Sequence, residues 1–282
     1  MPAIPDRMST IELVGAEATS LGQFLSSLSA GDWERESACA EWQVRDVITH
    51  LTQAADTWAD ALHRAMRGDA NPPPGGQTLQ PGERGSEATA QRAIDQRQAT
   101  ATSEALLDSY NQGYRKLQQQ LEEVRDEDWE KPCFHRRGVL TVHEYVARRV
   151  QELAIHGWDV RSAFDPDYQL SPGAATLLSD VTHRWLRTSF APLEGSDNSA
   201  RFRFDISNPV TRREDVVIGS DGFEIEPVGE ATPDVTFRLD TSSYILLVFG
   251  RLRAAGADKS PRISVEGSQD LAGQFSQWFQ GV

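Results

Sequence analysis

The sequence predicts an α+β protein in two parts, a helical bundle of residues 1–168 followed by a smaller α+β domain of residues 169–282. Three observations carry this expectation. Apolar residues recur at helical spacing in the first part. After "FDPDYQLSPG" the pattern changes to short alternating runs divided by Gly, Asn and Pro. A chain of 282 residues is also longer than one small core usually needs.

The elements follow in chain order. From Ser9 to Leu28, the residues Ile11, Val14, Ala18, Leu21, Leu25 and Leu28 share one helical face. A second helix is expected from about Gln43 to Met66. The stretch "GDANPPPGGQTLQPGERG", Gly68 to Gly85, has no periodicity and reads as an exposed loop. A polar helical region covers Glu87 to about Val124, broken near Thr102-Ser103 with Ser103 as the N-cap. A fourth main helix opens at Thr141, where "TVHE" has the Thr-x-x-Glu pattern of a capping box. "DWERESACAEWQVRDV" before helix two is echoed by "DWEKPCFHRRGVLTVHEYV" before helix four. A helix pair used twice would give a four-helix bundle with pseudo-twofold symmetry.

In the second part, "RFRFDIS" (Arg201 to Ser207), "EDVVIGS", "GFEIEPV" and "DVTFRLD" (Asp234 to Asp240) read as antiparallel strands. "TSSYILLVFGRLRAAG" reads as a helix capped by Thr241 or Ser242. "RISVEG" adds a short strand, and "SQDLAGQFSQWF" closes the chain with a helix.

Composition excludes some classes of function. A net charge of −14, without any basic run, argues against nucleic-acid binding, which needs clustered Lys and Arg to neutralise phosphates. No window approaches 18 apolar residues, and "MPAIPDRMSTIEL" lacks a basic end followed by an apolar core. With only two cysteines, Cys39 and Cys133, a cytoplasmic protein that does not enter membranes is expected.

One constellation could carry chemistry. On the helix from Thr141, Val142, Val146, Leu153 and Val160 form a stripe, and Glu152 and His156 fall on its flank one turn apart. On helix two, Val47, Leu51, Ala54 and Trp58 form a stripe with His50 at its edge. Two imidazoles and one carboxylate from helices 102 positions apart can therefore converge on the bundle interior. Such a set suits a divalent metal, most simply zinc, with one position open for chemistry. A second reading stays open: Arg149, three residues before Glu152, could make an Arg149–Glu152–His156 ion network, with His50 a satisfied core residue. Trp33, Trp42, Trp129 and Trp158 read as packing residues, as do Cys39 and Cys133. Asp46 supports a helix start and Asp159 orients a neighbour; His143 reads as exposed, and His63, His135 and His183 have no assigned partner.

"ACAEWQVRDVITHL" (Ala38 to Leu51) resembles the Cys-x-x-Trp-x-Val-x-Asp-Val-x-x-His-Leu signature of the mycothiol-dependent maleylpyruvate isomerase family, whose members are DinB-like four-helix bundles. "QELAIHGWDVRSAF" (Gln151 to Phe164) is similar to the family's Glu-x-x-x-His-x-Trp-Asp motif. "PDVTFRLDTSSYILLVFGRLRA" and "ISVEGSQDLAGQFSQWF" resemble the sterol-carrier-like domain that accompanies the bundle. The resemblance implies zinc at His50, Glu152 and His156, and a catalytic arginine from the second domain, carried over to Arg251 in "VFGRLRA". A solvated arginine closing a helix is the other reading of Arg251; Arg92 and Arg97 are candidates for thiol or substrate binding.

The implied activity is activation of a small thiol, mycothiol, as a thiolate that attacks an electrophilic small molecule. The outcome is isomerisation or S-transfer, by a monomer or a homodimer. The alternative is a non-catalytic protein whose C-terminal domain holds an apolar ligand or a partner.

Overall fold

The computed structural model describes residues 6–76, 78, 101–193, 199–220 and 222–281. The chain divides into two compact units, Met1–Tyr168 and Gln169–Val282.

The first unit is built from four long helices: α1 (Arg7–Ser26), α2 (Val44–Met66), α3 (Ser103–Glu122) and α4 (Val142–Arg161). Helix α1 packs on α3 and α4, and α2 packs on the same two, so each helix has two neighbours around one core. The apolar stripes explain this arrangement. Ile11, Val14, Ala18, Leu21 and Leu25 of α1 are buried, as are Val142, Val146, Leu153 and Val160 of α4. On α2 the buried stripe passes through Val47, Leu51, Ala55 and Trp58, with Ala55 in the place expected for Ala54.

The caps are local. Thr141 and Glu144 form the capping box of α4, with the Thr141 amide donating to the Glu144 carboxylate at 3.1 Å. Thr102 replaces Ser103 as the cap of α3, since its hydroxyl accepts the Ala105 amide at 3.2 Å. The polar segment expected to precede it, from Glu87, lies outside the described residues, as does most of the loop after Gly76.

The echoed segments share local structure. Each "DWE" lies in or beside a short 3₁₀ turn, Ala30–Glu34 and Asp126–Asp128. The second segment then makes a hairpin, β1 (Pro132–His135) and β2 (Gly138–Thr141), which the alternation did not reveal because each strand has four residues.

The second unit carries a sheet of five strands: β3 (Ala200–Ser207), β4 (Arg212–Gly219), β5 (Gly222–Pro227), β6 (Val235–Asp240) and β7 (Ser264–Gly267). Their order is β5-β4-β3-β6-β7. The expectation of antiparallel strands holds for three pairs and fails for β3 and β6, which run parallel. Alternation tells which face of a strand is buried and is silent on its neighbour. Phe202 and Phe204 of β3 and Phe237 of β6 meet Phe275 of α8 (Gln269–Trp278) in the core.

Helix α7 (Thr241–Val248) is capped by Asp240, not by Thr241 or Ser242, with the Ser243 amide donating to the Asp240 carboxylate at 2.7 Å. Thr241 instead serves the neighbouring backbone, donating to Ser207 and Val210 carbonyls. The helix stops before "GRLRAAG" because Gly250 adopts φ of +74°, a conformation that ends the helical run. Two helices of eight residues, α5 (Pro172–Ser179) and α6 (Thr182–Ser189), gave no periodic signal at that length.

Thr141→Ala removes one hydroxyl acceptor from the start of α4. Chemical denaturation is expected to show a stability loss of about 1 kcal/mol.

Candidate metal centre

The three sequence candidates on α2 and α4 meet in the first unit. The Nε2 atom of His50 lies 3.3 Å from Oε2 of Glu152, and Nε2 of His156 lies 3.6 Å from the same oxygen. All three donor atoms fall within 4.8 Å of one another. Donors about 2.0–2.1 Å from a tetrahedral zinc lie about 3.3 Å apart, so the residues fit such an ion without regrouping.

The remaining contacts aim the ligands. Nδ1 of His156 is held by the Asp159 carboxylate at 3.0 Å, which leaves Nε2 turned to the other donors. Asp159 is fully buried, and its carbonyl accepts the Ala38 amide at 2.9 Å, tying the loop before α2 to α4. Asp46 steadies the start of α2 by accepting the Gln43 amide at 2.8 Å. Trp42 stacks on His156 with ring centroids 6.2 Å apart and tilts over His50 at 5.3 Å. This buried tryptophan is a packing residue whose packing partners are the two imidazoles.

The electrostatics favour metal-ready ligands. Burial pushes the His50 imidazole below its ordinary value and outweighs its hydrogen bond with Glu152. Burial opposes ionisation of Glu152, but the His50 hydrogen bond and the charges of His156, His50 and Arg149 hold its carboxyl well below the usual range. A neutral imidazole and an ionised carboxylate are the forms a metal requires.

The ion network that competed with this reading does not form as expected. The Arg149 guanidinium lies over the ring of Trp58 at 5.0 Å and that of Tyr114 at 5.7 Å. No hydrogen bond or ion pair joins it to Glu152, so Glu152 turns to the two histidines instead.

The two cysteines, read as packing residues, are half-buried and buried. The Cys39 sulfur groups with His156 and Asp159. Cys133 is a core residue whose thiol is pushed up to about 12 by burial. His143, expected to be exposed, is half-buried, with Nδ1 3.3 Å from Glu130. His183 finds a partner in the second unit, Glu214 at 2.7 Å. His135 packs near Trp58 and Tyr145, and burial with the charges of Arg148 and Arg136 drives it down to about 3.

Arg251 belongs to the second unit, beyond the end of α7, half-buried, with its guanidinium donating to the Phe249 carbonyl at 3.1 Å. Arg92 and Arg97 lie outside the described residues.

A profile of the mycothiol maleylpyruvate isomerase N-terminal domain matches residues 14–161. The chain belongs to this family. A profile of the SCP-2 sterol transfer family matches residues 174–280. Among solved structures, a mycothiol-dependent maleylpyruvate isomerase superposes with a TM-score of 0.63 at 15% identity, covering 94% of this chain and 95% of that one. A histidine-to-alanine mutant of the mycothiol-dependent maleylpyruvate isomerase gives a TM-score of 0.62 at 14% identity, with the same coverage. At such identities the likeness is one of fold. No curated protein matches the chain.

Two outcomes follow for this family member. Asp159→Asn is expected to weaken zinc binding by about 10–100-fold while the helical signal in circular dichroism stays unchanged; competition with a chromophoric chelator measures it. His135 is neutral when folded and takes a proton near pH 6.5 when unfolded, so it costs stability as pH falls from about 6.5 toward 3. Denaturation of the metal-free chain across that range is expected to show a shallower acid loss for His135→Phe than for the native sequence.

Proposed function

We propose that the chain is a cytoplasmic, zinc-dependent enzyme that uses mycothiol to isomerise an unsaturated small acid of the maleylpyruvate type. The observation that carries this reading is the spacing of His50, Glu152 and His156, at 3.3 and 3.6 Å from the shared carboxylate oxygen, in a member of the family.

His50, Glu152 and His156 would hold the metal, with a fourth position left open. Zinc in such a site supplies a Lewis acid that keeps a small thiol ionised at neutral pH. The thiol supplies a nucleophile for an activated double bond: addition leaves a single bond free to rotate, and departure of the same thiol restores the double bond with no net loss of atoms.

The chain's own residues make this workable. Asp159 fixes the ring of His156 in one orientation, so that ligand does not search for its position. Trp42 covers both imidazoles and keeps water from one side of them. The histidine contact and surrounding charges keep Glu152 ionised despite burial. We assign Arg251 to the carboxylate of the acid or of the thiol, because a guanidinium fork matches that group.

Metal analysis of protein purified without chelator is expected to find about one zinc per chain, and none after His50→Ala combined with His156→Ala. Mycothiol and maleylpyruvate incubated with the zinc-loaded protein should give the trans acid with the thiol recovered. Turnover that survives in the double variant would sink the proposal. A stable thioether product would replace the isomerase with an S-transferase.

A further inference from the structure

Arg149 has no place in the metal set, and its surroundings are unusual. The residue is 1% exposed, yet Nε and both terminal nitrogens of its guanidinium have no hydrogen-bond partner among the described residues. An arginine keeps its charge inside proteins, and buried charges are ordinarily paired or hydrogen-bonded. The guanidinium carbon lies over the rings of Trp58 and Tyr114, at 5.0 and 5.7 Å from their centroids. A guanidinium placed over aromatic rings still offers five N–H groups. The nearby phenols of Tyr110 and Tyr114 donate to the carbonyls of Ala18 and Leu51, and neither oxygen accepts from Arg149.

The position of this cation bears on the metal centre. Arg149 stands three residues before Glu152 on α4, about one turn away. Side-chain exposure is 30% at Glu152, 17% at His50 and 15% at His156, so Arg149 lies deeper than the ligands. Its charge acts on both Glu152 and His50. With zinc in place, the ion, Glu152 and Arg149 together carry two positive charges. A thiolate neutralises one of these and leaves one unanswered.

We propose that Arg149 is the floor of a carboxylate subsite beside the metal centre, its unpaired fork receiving the carboxylate of the bound acid. A planar monoanion suits the unanswered groups, because the unpaired Nε and terminal nitrogens of Arg149 form one planar fork. This inference rests on the proposed function for the identity of the acid, although the subsite is defined by Arg149 and its neighbours alone. It also gives the buried arginine a reason to persist, since an unpaired interior charge weakens a fold that an apolar residue of similar size would serve better.

The test is a titration of the full chain, labelled with ¹⁵N at arginine Nε, with propionate as the probe. It is run on zinc-loaded and zinc-free protein, and the Arg149 signal is identified by its loss in Arg149→Lys. Saturable movement of that signal is expected. Calorimetry of zinc-loaded protein should show the propionate Kd raised at least tenfold in Arg149→Met, whose unfolding midpoint should be no lower than that of the native chain. Arg149→Lys, which keeps the charge and loses the fork, should also bind more weakly. An Arg149 signal unmoved by propionate in both forms would overturn the subsite, as would a Kd within twofold of native in Arg149→Lys or in a folded Arg149→Met. The two proposals separate cleanly: a chain that takes up no zinc but whose Arg149 signal responds keeps the subsite and loses the metal enzyme.

Discussion

The contact between His50 and Glu152 sets the depth at which α2 and α4 must meet. Nothing in either helix fixes that depth by itself, because an apolar stripe can slide along its partner by a turn at modest cost. Buried side chains resist sliding when their volumes interlock, and here the polar residues add a sharper requirement. A partly buried carboxylate such as Glu152 is best tolerated when an imidazole or a metal answers it. The loop before α2 reinforces the alignment, since the Ala38 amide reaches the Asp159 carbonyl. Asp159 in turn holds His156, so one strut links the entry to α2 with the ligand end of α4.

The same requirement divides the polar groups of the bundle into two kinds. Asp46 and Glu144 serve helix starts, accepting the Gln43 and Thr141 amides. Glu152, His156, His50 and Arg149 sit inside or at the edge of the core without local backbone partners for their charge. Interior polar groups of this kind lower stability unless their partners are complete, and they concentrate where chemistry is done. Trp42 and Trp58 belong to this picture as walls, one against the histidines and the other against the arginine.

Much of this was legible before folding was considered. The stripes of α1, α2 and α4, the capping box at Thr141 and the two ligand motifs all depend on residues near one another in the chain. Helical rotation of about 100° per residue was enough to place Glu152 and His156 together and inward. The short strands β1 and β2 and the helices α5 and α6 escaped because four or eight residues give too few repeats to establish a period. The cap of α7 was misplaced by one or two residues, since Asp240 ends a strand and begins a helix at once.

The sequence by itself determined which residues face inward, where the long helices begin, and that two histidines and a glutamate could share one interior. It left undecided whether Glu152 would pair with Arg149 or with the imidazoles, because spacing of three and of four residues both place a partner within reach on a helix. Tertiary structure made that choice. Helix α3 brings Tyr114 against Arg149 and α2 brings Trp58, drawing the guanidinium onto aromatic faces, while α2 also delivers His50 to the carboxylate. The strand order of the second unit was decided in the same way, since the parallel pairing of β3 with β6 depends on a crossover and not on either strand's own pattern. Local geometry fixes faces; only packing between distant segments fixes partners.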